Sequence, residues 1–312
     1  MQPYILVLRH FAIGMISVMC LSASPIFAQQ KATLSETLQP KETRVNDVTL
    51  NYIERGQGDP VVFVHGTLGD YRTWDGQIEP FSEKYHVISY SRRYHYPNPW
   101  PQDSSGFSVT VHAKDLAAFL KTLKVGPVHL VGHSYGAFIS LLVARDNPEL
   151  VRTLTLGEPP VMSLLATTLE GDSLLQNFVA TAIIPSGEAL QNGENAEGVR
   201  RFLNGVLGDN AYENLPPHVQ ANMLENAREL RGATMDENLF PPFSCEDARD
   251  VSVPTLLIGG ELSPKMFVLI HDIIEPCLLN KERAIVPEAS HGLEFENPQA
   301  FNEIVLAFLA KH

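Results

Sequence analysis

The chain is 312 residues long, 44% hydrophobic and 19% charged, a composition that can bury one large core carrying an insertion and that excludes a disordered or fibrous protein. Its 21 Gly and 22 Pro follow no fixed period and no segment repeats, which excludes a solenoid. With 23 Lys and Arg against 36 Asp and Glu, a formal charge of −13 and no basic cluster, the chain repels phosphate backbones and anionic headgroups, so nucleic acid is not an expected partner.

Residues 1–28 read as an export signal. Arg9 and His10 supply a weakly basic start, residues 11–21 form an apolar run, and residues 22–28 end in the small Ala28, after which cleavage is expected. Arg9-His10 on one side and Pro25 on the other leave the run short of the roughly 20 apolar residues of a spanning helix. The expectation is a periplasmic or secreted protein with no stable membrane insertion once the signal is gone. Cys20 follows Met19, where a lipoprotein acceptor site has a small residue, so it is expected to leave with the signal.

From Lys41 onward, short β-branched apolar runs alternate with longer amphipathic stretches. In chain order the spacing predicts strands at 49–54, 60–65, 86–90, 128–132, 151–157, 255–259 and 283–286. Helices are predicted at 73–83, 109–123, 135–146 and 297–311. Val61-Val62-Phe63-Val64 and Leu256-Leu257-Ile258 are apolar on both faces, as in an α/β fold whose mostly parallel sheet is covered by helices on both sides. Residues 29–160 and 245–312 supply this core. Residues 161–244 break the rhythm, with helical stretches and turn-rich punctuation but few strand signals. Following the end of a central strand, they are expected to form a helical lid over the sheet edge where ligands bind.

Export places Cys245 and Cys277 in an oxidising compartment, where a disulfide between them is expected to add about 3 to 4 kcal/mol. Two free buried thiols are the alternative. Neither reading makes them catalytic, because no His-paired thiolate context is visible.

Gly132-His133-Ser134-Tyr135-Gly136 fits G-x-S-x-G between a predicted strand and a predicted helix. A sharp strand-to-helix turn needs glycines two residues either side of the nucleophile, because side chains there clash with neighbouring backbone. Ser134 is thus the candidate nucleophile. His65-Gly66-Thr67 follows a strand upstream and puts a turn beside it, so the backbone N–H groups of Thr67 and Tyr135 are the candidate oxyanion donors. Ser needs a base, and His291, in a loop past the last strand and followed only by the terminal His312, is the best placed. His129 and His133 bracket a strand and turn rather than a helix face, and there is no Cys/His cluster or H-E-x-x-H, so no metal is expected.

Over about residues 45–312 the chain resembles the α/β-hydrolase superfamily, of the lid-bearing type related to bacterial serine esterases and lactone hydrolases. The resemblance rests on His65-Gly66, Gly132–Gly136, Pro254–Glu261, and Pro287–His291 with Asn297-Pro298. It implies an eight-stranded sheet, a helical cap and hydrolysis through an acyl-enzyme.

The acid departs from the family pattern. Members usually carry Asp three residues after the Gly ending the seventh strand, and Gly260-Glu261-Leu262-Ser263 has Ser there. Two carboxylates compete: Glu158 at the end of the sixth strand, where some members carry the acid, and Glu261 at the end of the seventh. Glu158 is favoured because Pro159-Pro160 holds it rigidly while Glu261 is one position early. At the fourth strand's end, Ser89-Tyr90-Ser91-Arg92-Arg93-Tyr94-His95-Tyr96 replaces the usual D-x-R-G-x-G. Its aromatics are candidates for the site wall, and Arg92 and Arg93 for structural ion pairs.

The expectation is a serine hydrolase acting on a small-molecule carboxylic ester or lactone, with no cofactor. Ser134 attacks, His291 moves the proton and Glu158 or Glu261 orients His291. Competing readings are other chemistry on the same triad (carbon–carbon bond hydrolysis, acyl transfer, cofactor-free peroxidation) and a hydrolase-like shell that only binds a small molecule.

Overall fold

The computed structural model describes residues 34–100 and 105–312. The expected signal at 1–28 lies outside the described residues.

Eight strands form one sheet: β1 (Lys41–Val45), β2 (Val48–Arg55), β3 (Pro60–Val64), β4 (His86–Tyr90), β5 (Val128–His133), β6 (Val151–Gly157), β7 (Thr255–Gly260) and β8 (Lys281–Val286). Their spatial order is β1-β2-β4-β3-β5-β6-β7-β8. β2 runs antiparallel to β1 and β4, and every other pair is parallel.

Side chains alternate across the sheet and divide the core into two layers. Val62, Val64, Leu130 and Leu257 face one layer with Leu116 and Phe119 of helix Val109–Leu123, Phe138 and Leu142 of helix Tyr135–Asp146, and Phe267 and Ile270 of helix Lys265–Ile274. Val61, Phe63, Val131, Leu256 and Ile258 face the other, with Ile78 and Phe81 of helix Asp75–Ser82 and Phe301, Val305 and Phe308 of helix Pro298–Leu309. Both faces of the central strands are therefore covered, and β3, β5 and β7 are buried at every residue.

Three elements differ from expectation. The periodicity predicted seven strands, and the eighth is β1, a polar edge strand Lys-Glu-Thr-Arg-Val that is buried only at Val45. An edge strand exposing both faces carries no apolar alternation to read. It pairs with β2 through a tight turn at Asn46-Asp47, where Asn46 takes a positive φ of 47°. Helix Lys265–Ile274 was also unexpected: its near-continuous apolar run masks the helical period that buries Met266, Phe267, Ile270 and Ile274. The predicted helix at 73–83 starts as a 3-10 turn, Tyr71–Trp74, capped by Asp70.

Between β6 and β7 the chain is entirely helices and loops, including Leu169–Phe178, Ile184–Gln191, Asn195–Leu207, Pro217–Glu225 and Ala227–Thr234. Leu190, Val199, Leu203, Ala227 and Leu230 make a small core of their own that closes on Leu68, from the turn after β3. At its far end Cys245 is disulfide-bonded to Cys277, with Cα atoms 5.2 Å apart, tying helix Cys245–Arg249 to the turn before β8.

Candidate active site

β5 delivers the chain to Ser134, whose backbone (φ 51°, ψ −123°) lies in a region L-residues rarely occupy, and helix Tyr135–Asp146 begins at the next residue. The glycines make this turn possible. A Cβ on Gly136 would collide with the carbonyl oxygen of Val64, and one on Gly132 would lie 2.6 Å from the carbonyl oxygen of Gly136. Ser134 N–H donates to the Gly157 carbonyl at 2.7 Å, locking the turn onto β6.

His291 lies between Ser134 and Glu158. Its Nε2 is 2.9 Å from Ser134 Oγ, and its Nδ1 is 2.6 Å from Glu158 Oε2. The Phe267 ring stacks on the imidazole at 3.8 Å, nearly coplanar at 6°. Burial pushes the His291 pKa below its ordinary value against the pull of Glu158, so the ring is neutral at pH 7, as a base must be.

Glu158 follows β6 with a φ of 50° and is 2% exposed. Its Oε1 accepts from Gly260 N–H at 2.9 Å and from the Ser263 hydroxyl. Burial works against its charge, but hydrogen bonds from His291, Ser263 and Gly260 prevail and hold its pKa below the usual carboxylate value. Ser263 occupies the place where the resembled family carries its acid, and here it supports an acid supplied by the neighbouring strand. The competing candidate is elsewhere: Glu261 is exposed and accepts from Glu288 N–H at 2.9 Å. The structure thus brings Ser134, His291 and Glu158 together and leaves Glu261 outside.

Gly66 lies against the nucleophile, since a Cβ on it would be 3.1 Å from Ser134 Cβ. Its carbonyl oxygen faces His65 Nδ1 at 2.9 Å and accepts from Arg92 Nη2 at 3.1 Å. His65 Nε2 accepts from Arg92 N–H at 3.0 Å, which assigns the ring hydrogen to Nδ1. With the Gly66 carbonyl held on that side, the Thr67 N–H of the same trans peptide lies on the opposite edge. Tyr135 N–H, at the first helical position, has no intrahelical partner.

Arg93 is a structural ion-pair partner, with its Nε donating to Asp115 Oδ2 at 2.6 Å and Nη2 to Asp47 at 2.8 Å. Tyr90, ending β4, stacks on Phe119 at 4.9 Å and Tyr94 meets Trp100 at 4.6 Å, while Tyr96 is exposed with Arg72 over its ring at 4.0 Å. His129 pairs with Thr153 at 2.8 Å, and His133 faces His291 and Glu294, so the two do not converge. Among the described residues no group of three His, Cys, Asp or Glu is arranged to hold a metal ion.

Sequence reasoning missed the second tier: Arg92 and His65 on the Gly66 carbonyl, Ser263 on Glu158, Phe267 on His291, and Glu229 of the insertion facing Arg92, His95 and His112. Ser263 carried a signal, as the residue standing where an acid was sought, and Arg92 carried one as an expected ion-pair partner, which it is, with Nη1 3.6 Å from Glu229 Oε1.

A strained serine after a central parallel strand, served by a buried His and Glu from later strand ends, defines the class. The eight-stranded sheet and its helices form an α/β-hydrolase fold, and residues 59–192 match the family model described as alpha/beta hydrolase fold. It is 25% identical over 283 residues to the (E)-2-((N-methylformamido)methylene)succinate hydrolase of Acinetobacter baylyi, covering 88% of this chain and 98% of that one. It is also 25% identical over 269 residues to 3-oxoadipate enol-lactonase 2 of the same species, covering 85% and 94%. Among solved structures, Est816, described as an N-acyl homoserine lactone degrading enzyme, superposes with a TM-score of 0.68 at 23% identity, covering 86% of this chain and 100% of that one.

Proposed function

We propose that this protein is an exported serine hydrolase that cleaves a small-molecule carboxylic ester or lactone through an acyl-enzyme. The observation that carries the reading is the unbroken chain of contacts from Ser134 Oγ through His291 to Glu158, at 2.9 and 2.6 Å. His291 Nε2 takes the Ser134 proton as Oγ attacks the acyl carbon, and Glu158 stabilises the imidazolium that forms. Thr67 and Tyr135 N–H groups receive the oxyanion, each such donor being worth about 2.7 to 4 kcal/mol in the transition state. The imidazolium protonates the departing alkoxide, and the same residues then pass a water through the second half-reaction.

The lactone-directed names of the Acinetobacter enol-lactonase and of Est816 support the substrate class. The helical insertion serves as the lid: it reaches the turns beside the nucleophile, with Asn226 Nδ2 donating to the Leu68 carbonyl at 3.2 Å and to Asp70 at 2.9 Å. The Cys245–Cys277 disulfide accords with an oxidising compartment, and hence with export through residues 1–28.

The test is intact-mass analysis after treatment with a small phosphonylating serine probe, comparing wild type with Ser134→Ala and His291→Ala, followed by a panel of chromogenic esters and lactones. One label per chain, abolished by both substitutions, together with multiple turnovers on an ester or lactone, is the expected result. Labelling without turnover on any of them moves the protein to another chemistry of the same triad. An unlabelled wild type moves it to small-molecule binding.

A further inference from the structure

His133 is the residue before Ser134 in the Gly132–Gly136 turn. It ends β5 and is 9% exposed. Its two ring nitrogens face two acceptors from the His291 loop. Nε2 is 2.7 Å from the main-chain carbonyl oxygen of His291, and Nδ1 is 3.0 Å from Oε1 of Glu294, itself 2% exposed. A carbonyl oxygen only accepts, so Nε2 carries a hydrogen. An ionised carboxylate also only accepts, so Nδ1 carries a second and the ring is an imidazolium; the other assignment moves that proton onto Glu294 and leaves the pair uncharged.

The surroundings favour the ion pair. Burial opposes a charge on His133, but the charge and hydrogen bond of Glu294, the His291 carbonyl and the more distant Glu158 prevail and raise its pKa above the ordinary value. Gln77 Nε2 donates to the Glu294 carbonyl at 2.8 Å and so fixes the turn Leu293–Glu296 that presents the carboxylate.

We propose that His133 is a positioning residue, an imidazolium held by Glu294 that pins the main chain at His291 and, with ring centroids 4.8 Å apart, sets the proton affinity of the His291 ring. His291 then works between opposed charges. Glu158 on its Nδ1 side favours the imidazolium formed during the reaction, while His133 disfavours it and lowers the affinity of the resting ring for a proton. Glu294, on the far side of His133, offsets part of that effect. Ser134 and Phe267, the other groups against the ring, are uncharged. His271, behind Glu158, is pushed down to about 4 chiefly by burial and is neutral near pH 7.

Nitrogen-15 imidazole spectra of the whole mature chain test this without substrate. His133 is assigned by its loss in His133→Asn, and His291 by its loss in His291→Ala. At pH 6 both ring nitrogens of His133 are expected to be protonated, and His291 is expected to be less protonated than His133. In His133→Asn the His291 titration is expected to move up by about one pH unit, the lower end of what a charge within about 6 Å does. Glu294→Gln, which removes both charges of the pair, is expected to move it up by less, and it replaces His133→Asn if that variant fails to fold. One bare nitrogen on His133 at pH 6, or an unmoved His291 titration, overturns the proposal. A kinetic arm, the rate of phosphonylation of Ser134 against pH, rests on the serine-hydrolase reading. Its acid limb is expected to shift up with His133→Asn, and a rate lowered equally at every pH marks a purely structural role and overturns the electrostatic one. Absence of labelling in wild type defeats the hydrolase reading alone, because the spectra still decide on His133.

Discussion

Glu158 and Glu229 are both buried carboxylates facing imidazoles, and both are held below the usual carboxylate pKa, but they are satisfied in different ways. Glu158 has directed hydrogen bonds on each oxygen, from His291 to one and from Gly260 N–H and Ser263 to the other. Glu229, on helix Ala227–Thr234 of the insertion, has Arg92 Nη1 at 3.6 Å, His95 Nε2 at 3.2 Å and His112 Nε2 at 3.4 Å. Yet neither of its oxygens has a partner in hydrogen-bond geometry among the described residues, and Arg92 Nε and Nη1, His95 Nε2 and both His112 nitrogens lack one too. Directed bonds fix an imidazole's tautomer and angle, as a proton-transferring group requires. Attraction between charges without alignment holds two bodies together while leaving their geometry loose, which suits a joint between the proposed lid and the core.

The sharpest way to break the contrast is to remove each carboxylate's charge in turn. Glu158→Gln keeps the shape but withdraws the acceptor that selects the His291 tautomer. Ester turnover is expected to fall about ten-thousandfold, the size seen when a triad acid becomes its amide, with the melting temperature little changed. Equal losses in Glu261→Gln would show that the wrong carboxylate has been assigned. Glu229→Gln is expected to act on stability instead: it strands a buried guanidinium, costing about 3 to 5 kcal/mol by thermal or urea unfolding, while kcat of the folded enzyme changes less than tenfold.

The pH dependence of stability sharpens the reading of the second region. Burial pushes the His112 pKa down from 6.5 to about 4, so between those values the unfolded chain binds a proton that the native state refuses, and stability falls as pH drops through that window. Burial opposes the charge of Glu229, but His95 and Arg92 hold its pKa well below 4.5, so its contribution is present above 4.5 and is lost only below it. Melting temperatures measured from pH 7 to 4 are therefore expected to decline for wild type, with the gap to Glu229→Gln persisting until below pH 4.5. A gap that closes between pH 7 and 5 would mean that Glu229 carries no charge in the native state.

A smaller effect is expected where the insertion rejoins the core. Cys245→Ala with Cys277→Ala should lose about 2 to 4 kcal/mol in unfolding, with no change in kcat, because the bond lies before β8 and touches neither His291 nor Ser134.

These contrasts mark where a single sequence stops informing. The two-sided apolar strands β3, β5 and β7 announce a buried parallel sheet, and Gly132, Gly136 and Ser134 announce the turn that strains the nucleophile, because each pattern lies within one segment. His291 follows from chain order once Ser134 is placed. The acid did not resolve in the same way, since Glu158 and Glu261 both end strands and both are local to their turns; the structure differs between them through contacts from Gly260, Ser263 and His291, which are more than a hundred residues from Glu158. Arg92 on the Gly66 carbonyl and His133 against Glu294 were illegible for the same reason. Each pair joins segments with no shared periodicity: an ion-pair role for Arg92 could be expected from the sequence, but neither its partner nor that of His133 could be named until the fold brought them together.

Ser263 offers the finest test of how the acid is held. Its hydroxyl and the Gly260 N–H share Glu158 Oε1, leaving Oε2 to His291. Ser263→Ala removes one donor to an ionised acceptor, a bond typically worth about 1.5 to 3 kcal/mol, yet Gly260 N–H remains and a water can enter the space left by the hydroxyl. The expected result is therefore about a tenfold loss in kcat with KM unchanged, well short of the Glu158→Gln loss. Because the lost bond favoured the ionised carboxylate, the Glu158 pKa rises, and the rate should fall further on the acidic side than at pH 8. A loss that is uniform across pH would mean that Ser263 places Glu158 without tuning it. Ser263→Thr should keep most of the rate, since its hydroxyl supplies the same donor.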